Sequence, residues 1–410
     1  MYRLPGKQTG TEGSVYVSFN DGDDWQTLQL NLPHTSMRDL AIHGDDLIVA
    51  THGRSFWILD DITPLRQMNA EIAKENVHLF SPQEAIRVRW NRNPDTPLPP
   101  EVPAGKNPPD GAIIDYYLAS SSNQPVTLEI FDEQQHFVRR YSSADKPEPV
   151  EKTAAEHPIP MYWVRPTQIL SAGAGMHRFA WDLHYDSPES LGHEFPISAI
   201  VHDTPKYPLG AWIVPGNYAV KLTVDGKSYS QPLVVKMDPR IKTSTTDLRK
   251  QFEMESGSVE GMNRSFDALA QVRSVRAQLK ERAARAKGAV ADAIAALDKQ
   301  AGELEGTARL NFFGLPPGAK QPENFSTLNQ HFSGILSVAD SADAAPTIQA
   351  TAVYKELEED LEKLVDRWTK IRQQDISALN AKLKKARLAP IDPGKSAETP
   401  AADADGDDVP

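Results

Sequence analysis

A polar turn near the start of the chain constrains its fold more than any other sequence feature. The turn reads S-F-N-D-G-D-D-W from Ser18 to Trp25, and the residues on either side of it alternate between apolar and polar types. Gly22 can adopt backbone conformations that a Cβ disfavours, and Asn20 can accept backbone N–H bonds across the turn. Trp25 is expected to pack on the strands that the turn connects. The sequence therefore predicts an antiparallel hairpin, in which Ser18, Asn20, Gly22 and Trp25 have structural roles.

Short strands are predicted at intervals along the chain up to residue 240. Two hairpin strands are predicted on either side of His52-Gly53-Arg54, and a tight hairpin is predicted at Asp225-Gly226, because both residues tolerate a positive φ. The strands after residue 110 predict an antiparallel sandwich. Its strands are expected at 111–118, 126–131, 136–141, 175–182, 215–224 and 227–235, and its interior is expected to contain Phe179, Trp181, Tyr218, Val220 and Leu222.

The spacing of apolar residues becomes helical after residue 243. Candidate N-cap residues lie at 243–247, and a long amphipathic helix follows, with a break predicted near Ser256-Gly257. An Ala-rich helix is predicted at about 287–305 and a third helix from about Ser326. The fourth helix has an apolar seam, which either packs against other helices of the chain or receives a helix of a partner. Packing within the chain is favoured, because the other predicted helices can cover the seam. The seam consists of Tyr354, Leu357, Leu361, Leu364, Trp368 and Ile371.

Three segments have compositions that do not predict regular structure. Seven prolines lie between Pro94 and Pro109, which removes backbone donors and favours an extended linker. An insertion rich in proline and charge is predicted at about 142–167. Residues 391–410 consist largely of Pro, Ala, Gly and Asp, so they contain too little apolar surface to fold and are predicted to form a disordered acidic tail.

The overall composition excludes several classes of function. The chain has 410 residues, 40% of them hydrophobic, which is enough for two or three packed domains. Its net charge of -12 argues against nucleic acid and anionic membrane surfaces as partners, since Lys and Arg dominate such binding. Without cysteine the chain has no disulfides and no thiolate chemistry. We also expect no membrane insertion, because no apolar stretch is long enough to span a bilayer, and residues 1–7 lack the apolar core of a secretory signal.

Several stretches together resemble one bacterial family. The polar turn resembles the Asp-box, S-x-D-x-G-x-T-W, of BNR-repeat β-propellers, although Asn20 and Asp24 replace the usual Asp and Thr. Stretches at 10–25, 51–61, 106–118 and 336–346 resemble the C-terminal region of sortilin-like proteins that are named glycosyl hydrolases. The G-x-H-x-x-x-W-D and P-G-x-Y-x-V-x-L stretches resemble immunoglobulin-like domains such as that of the flagellar hook-cap protein.

This resemblance implies a multidomain protein of the β plus α class. The implied order is a β-propeller remnant at 1–66, a strand and Pro-rich linker at 67–110, an immunoglobulin-like β-sandwich at 111–240, a helical bundle at 243–390 and the tail at 391–410. One Asp-box cannot make a closed ring, so the other blades are expected upstream. The family implies a periplasmic or secreted location. We expect a non-catalytic accessory region with a protein or glycan ligand; the alternative is part of a sialidase-like glycoside hydrolase whose active site lies in the other blades.

Few residues of the chain suggest a catalytic, ligand-binding or metal site. Arg54 could bind a ligand in the central cleft of a propeller, or its loop could be stabilised by a hydrogen bond. Asp60 and Asp61 would point to opposite faces of a strand, so turn or capping hydrogen bonds are expected rather than a glycosidase pair. Four histidines lie close together in sequence, but their spacing is not that of a metal site. We therefore predict no catalytic set, no metal site and no cofactor. The histidines are His177, His184, His193 and His202.

Overall fold

The computed structural model describes residues 7–10, 13–89, 99, 101–102, 105–147, 159–195, 202–306 and 323–395. This part of the chain contains both β-sheets and helices, and the long helices all follow residue 243. Two compact units can be distinguished. Among the described residues, the β unit comprises 7–183, 202–203 and 215–241, and the helical unit comprises 184–195, 204–214, 242–306 and 323–395.

The β unit begins with two antiparallel sheets of three strands each. The first contains β1 (Lys7–Gly10), β2 (Val15–Ser18) and β3 (Gln26–Thr27), so the hairpin predicted around the polar turn is confirmed. The second contains β4 (Met37–His43), β5 (Asp46–Thr51) and β6 (Phe56–Leu59), and the short helix α1 (Thr63–Gln67) follows. Both sheets contribute to one apolar cluster, whose buried members are Val15, Val17, Leu28, Met37, Leu47, Val49 and Ile62. We call this arrangement the N-terminal sheet pair.

Two larger sheets form the rest of the β unit. Their strands are β7 (Val77–Leu79), β8 (Ala85–Arg87), β9 (Ala112–Leu118), β10 (Thr127–Asp132), β11 (Phe137–Ser142), β12 (Gly175–Trp181), β13 (Gly216–Val224) and β14 (Lys227–Met237). One sheet has the order β11-β10-β13-β14-β8, and the other has the order β12-β9-β7. Neighbouring strands are antiparallel except β14 and β8, which are parallel.

These two sheets face each other through aromatic contacts. The ring centroids of Trp181 and Tyr218 are 5.9 Å apart, and those of Tyr141 and Phe179 are 4.5 Å apart. Of the five residues predicted for the interior, four are buried and Tyr218 is half-buried. The hairpin at Asp225-Gly226 is confirmed, with φ values of 47° and 78°.

The segment 67–110 contributes more to these sheets than the sequence indicated. β7 pairs with β9, and β8 pairs with β14. Both strands have three residues and pair with strands distant in sequence, so local alternation could not reveal their place in the sheets. Within the predicted Pro-rich linker, residues 94–98, 100 and 103–104 lie outside the described residues. Within the predicted insertion, residues 148–158 also lie outside them.

The helical unit contains the four helices that the apolar spacing predicts and a fifth, the last one, that it does not. They are α2 (Thr245–Ala283), α3 (Ala289–Glu305), α4 (Phe325–Ala339), α5 (Ile348–Lys370) and α6 (Ile376–Lys385), and a π-helical segment, Ile371–Asp375, connects the last two. N-cap side chains begin three of the helices: Ser244, Asn324 and Thr347 each accept a backbone N–H bond. Four of the six residues of the predicted seam are buried in the helical core: Leu357, Leu361 and Trp368 of α5, and Ile371 of the π-helical segment.

The predicted break near Ser256-Gly257 is wrong, because α2 is continuous over 39 residues. Glycine is present for another reason. A Cβ at Gly257 would lie 1.9 Å from Tyr354 Oη, and a Cβ at Gly261 would lie 2.7 Å from the Phe332 ring. The two glycines therefore allow aromatic rings from α5 and α4 to contact the backbone of α2.

Two segments that the sequence assigns to the sandwich belong to the helical unit. They are residues 184–195 and 204–214, and α2 and α4 hold them through hydrogen bonds to their backbone. The Trp212 amide donates to Glu255 Oε2 at 2.9 Å, and the Leu191 amide donates to Asn329 Oδ1 at 3.0 Å. The range 111–240 that the sequence assigns to the sandwich therefore includes two segments that pack with the helices. No local pattern in the sequence indicates this, because these contacts join residues distant in sequence.

Part of the predicted acidic tail also has a defined structure. Ile391 is 2% exposed and belongs to the core of the helical unit, so the prediction of disorder is wrong for residues 391–395. One buried apolar residue among prolines and aspartates leaves no periodic signal in the sequence. The remaining residues of the predicted tail, 396–410, lie outside the described residues.

Candidate functional site

The polar turn of the N-terminal sheet pair is closed by its own side chains. Ser18 Oγ accepts a hydrogen bond from the Gly22 amide at 2.8 Å, and Asn20 Oδ1 accepts one from the Asp24 amide at 2.9 Å. Asn20 Nδ2 in turn donates to Asp24 Oδ2 at 2.8 Å. Gly22 has a φ of 103°, which a residue with a Cβ rarely adopts. The Trp25 side chain is 41% exposed, so it covers the turn only in part.

Arg54 lies in the turn between β5 and β6. Its carbonyl oxygen accepts a hydrogen bond from Trp57 Nε1 at 2.9 Å, and Thr51 Oγ1 closes the same turn by donating to the Ser55 carbonyl at 2.6 Å. The side chain of Arg54 is exposed, and none of the described residues accepts a hydrogen bond from its guanidinium. The backbone of Arg54 therefore stabilises the turn, while its side chain is accessible to a ligand.

The sheet next to Arg54 is apolar on both faces. In the register of β5 and β6, Ala50 lies opposite Phe56 and Ile48 opposite Ile58, so these four residues share a face. Phe56 is 73% exposed and Ile58 is 58% exposed. The other face carries Leu47 and Val49, which are buried against the first sheet. We call the face with Ile48, Ala50, Phe56 and Ile58 the outer apolar face.

Arg178 of β12 joins the N-terminal sheet pair to the larger sheets of the β unit. Its guanidinium donates to the carbonyl oxygens of Asp60 and Asp61, at 2.5 and 2.7 Å, and to both carboxylate oxygens of Asp115, at 3.0 Å. Burial raises the pKa of Asp115, although Arg178 opposes this shift. Burial would lower the pKa of Arg178, but Asp115, Asp61 and Asp60 raise it.

Asp61 has the turn role that the sequence predicts, whereas the carbonyl oxygen of Asp60 accepts a hydrogen bond from Arg178. Asp61 Oδ1 accepts hydrogen bonds from the Thr63 amide, at 2.9 Å, and from Thr63 Oγ1, at 2.6 Å, where α1 begins. Burial and the nearby charge of Asp46 raise the pKa of the Asp60 carboxyl. The Asp61 carboxylate is thus used by the turn that leads into α1.

A second charged cluster of the β unit surrounds Arg165. This guanidinium lies 2.7 Å from Asp203, 3.2 Å from Asp110 and 4.0 Å from Asp182. Burial alone would lower the pKa of Arg165, but the three aspartates raise it. The cluster ties together four separate positions of the chain, and it therefore has a structural role.

The four histidines that lie close in sequence have different neighbours. His177 Nε2 contacts the Gly173 carbonyl at 2.7 Å, and the His184 ring stacks on Trp212 with 5.2 Å between centroids. His193 Nδ1 is 3.2 Å from the Tyr207 carbonyl, and His202 has an exposed side chain. Within the described ranges, no group of three or more His, Asp or Glu side chains is arranged to hold a metal ion.

The structure brings Arg54 next to the outer apolar face, a surface that the sequence analysis did not identify. The sequence of β6 does indicate this outer apolar face, since Phe56 and Ile58 are both large and apolar and lie on the side of the strand opposite Trp57. The contacts of Arg178 left no signal, because its partners are between 63 and 118 residues away.

Comparison with protein-family models and with curated protein sequences finds no match for this chain. None of the helices in the described part of the chain combines the length and apolar character that crossing a membrane requires.

Proposed function

We propose that this chain is the C-terminal accessory region of an exported BNR-repeat propeller protein, with a non-catalytic role in binding a protein or glycan. The observation that carries the proposal is the outer apolar face of the second sheet. It is supported by the resemblance of the polar turn to an Asp-box, whose expected structural role agrees with the hydrogen bonds of Ser18 and Asn20. Repeated sheets of this kind bury their faces against one another.

The two faces of the second sheet support a partner that is itself a β-sheet. An antiparallel sheet with one face in water usually alternates apolar and polar residues. Here β5 and β6 are apolar on both faces, with Leu47 and Val49 inside and Phe56 and Ile58 outside. The inner face already packs against another three-stranded sheet. We infer that a further sheet of the same kind, a neighbouring propeller blade, covers the outer apolar face.

The edge of β6 supports the same partner. Among the described strands, β6 pairs with β5 alone, so the backbone groups on its other side are available to an additional strand. An exposed apolar edge strand readily pairs with another chain or segment. A neighbouring blade and an added edge strand would together cover both the face and the edge.

The test measures binding between the complete chain and the polypeptide encoded directly upstream in the same gene, produced separately. The variant Phe56→Ser/Ile58→Ser removes the two most exposed apolar residues of the outer face. Calorimetry is expected to show binding that this variant weakens by about 2–4 kcal/mol, roughly 30- to 1000-fold. A fully buried side chain of this kind contributes about 1.5–3 kcal/mol, and Phe56 and Ile58 have only their exposed 73% and 58% left to bury. The control is Ile348→Ser, since Ile348 is 86% exposed in the helical unit.

Equal binding by Phe56→Ser/Ile58→Ser and the wild type would contradict the proposal, as would an upstream sequence without Asp-boxes. The reconstituted complex should also be incubated with a panel of sialosides and other glycosides, from which no sugar release is expected. Release of sugar would favour the alternative, a sialidase-like glycoside hydrolase whose active site lies in the other blades. In that case Arg54→Ala tests whether the exposed guanidinium contributes to substrate binding.

A further inference from the structure

The last described residues of the chain turn back along the helices that precede them. After α6, Arg387 has a φ of 57° and the Leu388 amide donates to the Leu383 carbonyl at 2.9 Å, which reverses the chain direction. The residues that follow, 389–395, lie in a groove between α2 and α6. We call residues 389–395 the C-terminal strap.

Two side-chain amides bind consecutive residues of the strap. Asn380 of α6 donates to the Ile391 carbonyl at 2.8 Å and accepts from the Ile391 amide at 2.7 Å. Gln278 of α2 donates to the Asp392 carbonyl at 2.9 Å and accepts from the Asp392 amide at 2.8 Å. Each amide thus satisfies both backbone groups of one strap residue, as a neighbouring β-strand would.

The other contacts from α2 also go to the backbone of the strap. Ser274 Oγ donates to the Lys395 carbonyl at 2.8 Å, and Arg282 Nε donates to the Ala389 carbonyl at 3.3 Å. Residues 274, 278 and 282 are four apart, so they form one stripe along the helix. They contact strap residues 395, 392 and 389 in that order, which means that the strap runs antiparallel to α2.

Only one side chain of the strap is buried. Ile391 lies within the helical core, whereas the side chains of Ala389, Pro390, Asp392 and Lys395 are exposed. The prolines before and after the Ile391-Asp392 pair have no N–H group to satisfy, and they restrict the unbound chain to extended conformations. The groove therefore recognises the backbone groups of Ile391 and Asp392 and one branched aliphatic side chain. A turn follows, in which the Lys395 amide donates to the Asp392 carbonyl at 3.3 Å.

We propose that the groove between α2 and α6 is a peptide-binding site that the C-terminal strap occupies in cis. Its ligand in trans is a peptide with a branched aliphatic residue followed by a polar one, between prolines, the chemistry of Pro390-Ile391-Asp392-Pro393. The strap is present at a high effective concentration because it is covalently attached, so it blocks the groove until it is displaced. This inference is independent of the proposal for the N-terminal sheet pair.

The experiment uses the full chain and a fluorescent peptide with the sequence of residues 387–395. The substitution Ile391→Ser in the protein removes the buried anchor and is expected to free the groove. Titration to millimolar peptide, followed by anisotropy, is expected to show at least tenfold tighter binding to Ile391→Ser than to the wild type. A peptide with serine in place of isoleucine is expected to bind at least tenfold more weakly.

Variants of the groove test whether the amides bind the peptide. In the Ile391→Ser background, Gln278→Glu and Asn380→Asp each keep the side-chain shape but lose the N–H donors, and each is expected to weaken binding at least tenfold. Lys280→Ala is the control, because Lys280 is an exposed residue of the same helix and is expected to leave binding unchanged. Equal binding to wild type and Ile391→Ser, or no binding to a folded Ile391→Ser protein, would overturn the proposal.

Hydrogen exchange of the wild-type protein gives a second measurement that requires no variant. If the strap leaves its groove, the amides of Ile391 and Asp392 are expected to exchange at least a hundredfold faster than those of the buried middle of α2. Exchange of these two amides only at the rate of global unfolding would show that the strap does not leave the groove. That result would overturn the proposal even if Ile391→Ser failed to fold.

Discussion

Single residues decide how α2 contacts its neighbours. Gly261 lies beneath the fully buried ring of Phe332, and a Cβ there would come within 2.7 Å of three ring atoms. Such a distance is shorter than any normal van der Waals contact, so either the ring or the helix would have to move. Gly334 on α4 differs, because no atom lies within 4 Å of the position that its Cβ would occupy.

The two glycines give opposite predictions for substitution by alanine. Gly261→Ala is expected to lower the free energy of unfolding by about 1–3 kcal/mol, because overpacking outweighs the gain in helix propensity. Gly334→Ala is expected to raise it by about 0.5–1 kcal/mol, because the gain in propensity is unopposed. Urea denaturation of both variants checks the prediction. Stabilisation by both substitutions would show that Phe332 can move at little cost.

At the scale of elements, a charged pair spans the N-terminal half of α4. His331 Nδ1 is 3.3 Å from Glu323 Oε1, and Thr327 Oγ1 donates to Glu323 Oε2 at 2.8 Å. The hydrogen bond to Glu323 raises the pKa of His331 above its ordinary value of 6.5. Burial would raise the pKa of Glu323, but His331 and Thr327 lower it below its ordinary value of 4.5.

The sign of each shift gives a pH dependence for stability. The contribution of His331 is fully present below pH 6.5 and is lost as the pH rises through its raised pKa. The contribution of Glu323 is present above pH 4.5 and is lost as the pH falls through its lowered pKa. The pair therefore stabilises the helical unit most between these two values. His331→Gln is expected to destabilise the protein more at pH 5.5 than at pH 8.5, measured by urea denaturation.

The control for this pH dependence is His43→Gln, since His43 is an exposed residue of β4. It is expected to change stability equally at both pH values. If His331→Gln also had the same effect at pH 5.5 and 8.5, the ion pair would not contribute to folding.

At the scale of the whole molecule, each unit depends on contacts between distant parts of the chain. In the β unit, Arg178 links β12 to β9 through Asp115 and to the end of the second sheet through two carbonyls. In the helical unit, segments 184–195 and 204–214 come from the sequence between strands of the β unit. The chain therefore enters the helical unit before its first long helix, and the two units are not consecutive in sequence.

Loss of Arg178 is expected to weaken the β unit strongly. Arg178→Gln would leave the buried Asp115 carboxylate without its ionic partner, and we expect it to lower the free energy of unfolding by about 2–4 kcal/mol. Asp115→Asn combined with Arg178→Gln is expected to recover part of this loss, since no unpaired charge would remain buried. Denaturant titrations of the single and double variants form a double-mutant cycle. Strictly additive losses would contradict the coupling.

The sequence by itself determined the elements that depend on local patterns. The four helices α2 to α5 follow from apolar residues at helical spacing and from caps such as Ser244, and the hairpins at Gly22 and Asp225-Gly226 follow from turn residues that tolerate a positive φ. These signals are local because helix and turn hydrogen bonds join residues at most a few positions apart.

Only the tertiary structure decided the features that join distant residues. The close approach of the Tyr354 ring to α2 at Gly257, and the burial of Ile391 among helices that begin and end elsewhere in the sequence, both depend on contacts between distant residues. Likewise, Phe56 and Ile58 became a candidate binding surface only when the first sheet was seen to cover the opposite face. Contacts of this kind are selected by packing and burial across the chain, and no local window of sequence contains both partners.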